Sequence, residues 1–164
     1  MNTYLAALAG LILFVTVLAC DSRPWSRFIV VNETNEEITV AFYTPHPQMA
    51  SPYFYSKDEF ENDAHWSSGN FPEKFTVDEV NSAIEVRLAS GEAVEIDRAP
   101  QDGLDKDIEG NFLIDRLVVT YKGEATEVKG RKNVFNRFKK ETYWSLTRPP
   151  RYVIYFKPGL DLSE

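Results

Sequence analysis

The feature that most constrains this chain is a pattern: short stretches in which apolar and polar residues alternate, each bounded by turn formers. Ile38, Val40 and Phe42 alternate with Thr39, Ala41 and Tyr43. Ile84, Val86 and Leu88 alternate with Glu85, Arg87 and Ala89. Val94 and Ile96 alternate with Glu95 and Asp97, and Leu117, Val119 and Tyr121 share a face within Leu113–Tyr121. A period of two places one set on a buried face and the other toward solvent, which is the signature of half-buried strands. Arg27–Asn32 (RFIVVN), Ala125–Lys129 and Tyr152–Lys157 complete about seven strands. The polar turn Asn32–Glu37 predicts a hairpin between the first two runs, and Ser90-Gly91 predicts another between Ile84–Leu88 and Val94–Ile96. Lys122-Gly123 turns Leu113–Tyr121 toward Ala125–Lys129. The expected fold is all-β, an antiparallel β-sandwich with short helices in its connections.

The helical signals are local. Ser56-Lys57-Asp58-Glu59 and Thr76-Val77-Asp78-Glu79 both match a capping box. Asn133–Lys140 offers Val134, Phe135 and Phe138 to one face, with Lys139 and Lys140 suiting a helix C-terminus. Capped turns make the forty-residue insert between the second strand and Ile84 physically reasonable.

Composition narrows function. The chain has 164 residues with net charge −7, which disfavours a nucleic-acid binder because phosphate neutralisation needs a basic surface. One Cys and two His support neither a disulfide framework nor a Cys/His zinc site. All 43 charged residues lie from Asp21 onward, and Tyr4–Ala19 is almost purely apolar. Sixteen residues span roughly 24 Å as a helix, short of a ~30 Å hydrocarbon core, so the run reads as a signal-peptide core. It ends in Val17-Leu18-Ala19-Cys20, with Asp21 next. Small Ala19 before the only Cys resembles the lipobox of bacterial lipoproteins. The resemblance implies cleavage of residues 1–19, lipidation of Cys20 and a membrane-held, extracytoplasmic domain. Asp21 resembles an inner-membrane retention signal, which points to the periplasmic face of that membrane. Residues 20–26 then form the anchor and a short linker, 27–158 a single sandwich domain and 159–164 a tail. An uncleaved membrane segment is the alternative, favoured by Arg23 and Arg27 after the run with nothing basic before it.

The insert from Tyr43 to Phe75 carries eight aromatics and four prolines. Rigid aromatics on a stiffened loop suit a recognition surface, and the same residues suit a satellite core under the insert. Most are expected in that core; Tyr53, Phe54, Tyr55 and Trp66 are the candidates for partial exposure and partner binding. Charge is uneven, with net −12 over 20–121 and net +7 over 122–157. Arg131, Lys132 and Arg137 are the candidate contacts of that basic block, for anionic lipid or an acidic partner; the alternative is pairing with acidic strands. Asp105, Asp107, Glu109 and Asn111, with Gly110, resemble the front half of a calcium loop, although Arg116 occupies the position where a bidentate Glu is needed. A solvated acidic turn is the plainer reading. His46 and His65 flank an acidic stretch with no spacing that enforces a metal site. No Gly-rich phosphate loop or nucleophile elbow occurs, and no catalytic residues are expected. Asn32-Glu33-Thr34 fits a glycosylation acceptor, which in a bacterial lipoprotein reduces to a strand end. The expected function is a lipid-anchored, non-catalytic module that binds an envelope protein or peptide; the alternatives are a calcium-binding or ligand-sensing envelope domain and a hydrolase of envelope polymers, the last suggested only by Trp66 near carboxylates in the insert.

Overall fold

The computed structural model describes residues 25–62, 71–100, 108–142 and 150–160. Cys20, Trp66, Asp105 and Asp107 lie outside them. The order is β1 (Trp25–Asn32), β2 (Ile38–Tyr43), β3 (Tyr53–Tyr55), α1 (Lys57–Glu61), β4 (Phe75–Asp78), β5 (Ala83–Leu88) and β6 (Ala93–Pro100). It continues with α2 (Ile108–Asn111), β7 (Arg116–Tyr121), β8 (Glu124–Lys129), α3 (Arg131–Asn136), β9 (Lys139–Glu141) and β10 (Arg151–Phe156). Two five-stranded sheets result, β3-β6-β1-β10-β9 and β4-β5-β2-β7-β8. The β1–β10 pair is parallel and the other pairs are antiparallel. The fold is therefore the expected all-β sandwich, with short helices in its connections.

The two sheets face each other across one core. Phe28, Val30, Val94, Ile96, Ile154 and Phe156 of the first sheet meet Val40, Phe42, Ile84, Val86, Leu117 and Val119 of the second. A second, smaller cluster (Ile29, Val31, Tyr55, Phe60, Ala93 and Val153) lies on the other face of the first sheet. β1 is thus buried on both faces, as its unbroken FIVV run requires of a central strand.

That double burial corrects two expectations. Neither β1/β2 nor β5/β6 is a hairpin; each pair of runs is an arch that crosses from one sheet to the other. β1 instead pairs with β6 and β10, and β2 with β5 and β7. Both arches meet at Asn32, whose backbone N–H donates to Glu92 O at 2.9 Å and whose carbonyl accepts from Gly91 N at 2.8 Å. Lys122-Gly123 does close a β7/β8 hairpin, with both residues at positive φ as a tight two-residue turn demands. Asn32 is wholly buried at the end of β1, so the glycosylation match carries no accessible acceptor.

Other expectations also change. β1 begins at Trp25, so Trp25 and Ser26 belong to the sheet rather than to a linker. Thr76–Asp78 forms part of edge strand β4 against β5, not a capped helix. Lys139 and Lys140 belong to β9, because α3 stops at Asn136. The first capping box holds: Ser56 N–H donates to Glu59 Oε2 at 2.8 Å and Glu59 N–H to Ser56 Oγ at 3.3 Å. It starts the turn of helix that seats Phe60 on the second cluster.

Candidate functional site

β3 is only three residues long and pairs with Ala93–Glu95 of β6. β6 continues past that pairing to Pro100, so its outer edge beyond Glu95 has no strand neighbour among the described residues. A groove of about 470 Å3 runs along this edge. Thr44, His46, Ser51 and Tyr53 of the insert form one wall, and Glu95–Arg98 with Leu113 form the other. Here β6 carries a bulge opposite Phe28/Ile29. The extra residue changes which face the following side chains take, so Glu95 pairs with Ile29 on the outer face and Asp97 pairs with core-facing Phe28.

Each carboxylate on the bulge is held. Glu95 is 3% exposed and accepts from the Tyr55 hydroxyl at 2.7 Å and from Arg98. Arg27, also buried, reaches the Tyr55 hydroxyl at 3.5 Å. Burial and the Glu95 carboxylate push the Tyr55 phenol well above its ordinary value. Asp97 accepts from Arg98 N at 2.8 Å and from Leu113 N at 2.9 Å, clamping the loop before β7 to the end of β6. Burial lifts the Asp97 carboxyl above the usual range, and those two amides partly offset it. The polar end of this groove is therefore a fixed lattice of bonds, suited to orienting a ligand rather than to shuttling protons.

The partner-binding candidates separate. Tyr53 is half-buried and lines the groove. Phe54 and Tyr55, expected to be partly exposed, are not: Phe54 enters the main core and Tyr55 the second cluster, at 2% and 4% exposure. The cause is β3 itself, since pairing with β6 turns alternate residues into the two apolar layers. Arg131 and Lys132 are exposed on α3, and Arg137 is half-buried with its Nε lacking a hydrogen-bond partner among the described residues. Glu109 and Asn111 sit within one turn of α2. Residues two apart on a helix point roughly 200° apart, so these two do not converge on one cation. No cluster of metal-ligating side chains occurs among the described residues.

Sequence reasoning missed the Arg27–Tyr55–Glu95–Arg98 network. Its signal was a Glu between Val94 and Ile96, which alternation alone assigns to solvent. A second groove, of about 870 Å3, lies at the opposite end of the first sheet between α1 and the ends of β1 and β10. Its floor includes Val31, Phe60 and Tyr155, and Lys57, Lys157, Glu33 and Glu61 contribute to its lining. No helix among the described residues is long and apolar enough to cross a membrane. No protein-family model, curated protein or solved structure matches this chain.

Proposed function

We propose that the protein is a lipid-anchored module of the extracytoplasmic membrane face that binds another envelope protein or peptide and performs no chemistry. One observation carries the reading: the apolar run Tyr4–Ala19 delivers Cys20 five positions before the first residue of a compact sandwich. Two or three acyl chains on Cys20 would hold such a domain stably, because each buried methylene contributes about 0.8 kcal/mol. Asp21 favours the inner membrane. The groove beside Tyr53 is the proposed contact, since the uncovered β6 edge offers backbone groups to an extended segment. The non-catalytic reading draws on the carboxylates tied up in fixed pairs: Glu95 with Tyr55 and Arg98, Glu127 with Arg116 and Lys129, Glu141 with Arg151 and Tyr155.

Metabolic acyl labelling of the full chain tests the address: wild type is expected to incorporate label and Cys20→Ser to lose it. An unlabelled wild type overturns the anchor. A photo-crosslinker at Tyr53 is expected to capture an envelope protein that one at Val118, on the far sheet, does not; absence of any adduct at Tyr53 overturns the groove as the contact.

A further inference from the structure

Strand directions place four chain ends together. β1 starts at Trp25; β10 runs parallel to it and starts at Arg151, opposite Arg27 two residues into β1. β6 and β9 run antiparallel and finish there, at Pro100 and Glu141. α3 packs on the same end, with Phe135 and Phe138 at 5.8 and 5.3 Å from Phe28 and Phe135 at 5.6 Å from Tyr152. Five extended residues span at most about 18 Å, so Trp25, where this end begins, lies within that distance of Cys20. Trp25, half exposed, is the sheet residue closest in sequence to the anchor.

The α3–β9 corner is basic without internal compensation. Residues 130–140 contain Arg131, Lys132, Arg137, Lys139 and Lys140 and no acid. Among the described residues Arg131, Lys132 and Lys139 are exposed and have no ion-pair partner. The nearest carboxylates in sequence, Glu127 and Glu141, are already engaged by Arg116, Lys129 and Arg151. Among the described residues near this corner the exposed acids are Glu109 on α2 and Asp115, whose carbonyl accepts from Gly130 N at 2.7 Å, and Arg131, Lys132 and Lys139 outnumber them.

We propose that this corner rests on an anionic phospholipid surface, with Arg131, Lys132 and Lys139 over headgroup phosphates and Trp25 at the interface. The inference rests on the anchored reading above. A tether this short holds the corner at high effective concentration beside the bilayer, where weak charge contacts suffice. Acyl chain plus basic patch is also the pairing that makes anchoring stable, and an indole suits the headgroup boundary. An acidic protein is the competing occupant, and nothing about the tether favours it.

The test uses the acylated full chain in nanodiscs of phosphatidylcholine alone or with phosphatidylglycerol added. Acetylation of Lys132 and Lys139 is expected to slow several-fold in the phosphatidylglycerol discs and to recover in high salt. Lys57, at the other end of the sheet, is expected to react equally in both. Equal rates at Lys132 and Lys139 in the two discs overturn the proposal, as does protection that requires an added envelope extract. Arg131→Glu is expected to shrink the difference at Lys132 and Lys139 while leaving the acyl group in place. A chain that carries no acyl group and stays out of the discs overturns the anchored reading instead. The corner is then judged by sedimentation with free phosphatidylglycerol vesicles: salt-sensitive binding sustains it and no binding overturns it.

Discussion

Asn32 is completely buried, yet every polar atom it has is used. Its Nδ2 donates to Glu36 O, Leu88 O and Ala89 O at 2.8–3.0 Å, and its Oδ1 accepts from the Thr34 amide and hydroxyl at 2.9 and 2.8 Å. Asn32→Ala removes these bonds and leaves buried acceptors bare, at a cost expected to reach about 3 kcal/mol in urea unfolding. A midpoint within error of wild type would show that the arches close without it. Ser26 is the opposite case. Its hydroxyl is buried and makes no hydrogen bond among the described residues. Ser26→Ala discards only a desolvated group, so the urea midpoint is expected to rise, by about 1 kcal/mol of stability.

At the scale of elements, the β7/β8 turn and α1 are the cleanest tests of local chemistry. Gly123 has φ of +80°, and a Cβ added there would meet nothing within 4 Å. Gly123→Ala is therefore expected to cost only the left-handed backbone penalty, about 1–2 kcal/mol, with the hairpin retained. Loss of the fold in circular dichroism would refute that assignment. The two capping-box sequences behave differently because one has a competing partner. Thr76–Asp78 finds β5 alongside it, and paired β-branched residues prevail over a four-residue motif. Ser56-Lys57-Asp58-Glu59 follows β3 with no strand beside it among the described residues, so the box forms and α1 turns Phe60 onto the sheet.

At the scale of the whole molecule, two tyrosine–carboxylate pairs tie both edge strands of the first sheet to their neighbours. Tyr55 bonds Glu95 across β3 and β6, and Tyr155 bonds Glu141 across β10 and β9. Both phenols are raised, that of Tyr155 to about 12, chiefly by burial and then by their carboxylates. A phenol with a raised folded-state value keeps its proton longer in the native protein than in the unfolded chain. Its contribution is complete below the ordinary phenol value of about 10 and disappears as pH climbs through the folded value. Stability is thus expected to fall between about pH 10 and 12, and Tyr155→Phe is expected to flatten part of that decline in urea midpoints taken across it. An unchanged profile would mean that Tyr155 ionises alike in both states.

The sequence by itself determined the fold class, the alternating strands β2, β5 and β7, the β7/β8 turn and the helix cap at Ser56. Each is encoded within a few neighbouring residues, by period, by a required φ or by a side chain bonding its own backbone. It left β3, β4 and β9 unseen, because these edge strands are three or four residues long and too short to show a period. Only the tertiary structure decided which strands pair. A polar turn between two strands permits a hairpin or an arch equally. The choice fell to β1, whose two apolar faces demanded β6 and β10 as neighbours and sent β2 across the core. The same cause buried Tyr55 and Glu95, since a second apolar layer outside the first sheet depends on distant segments that no local pattern records.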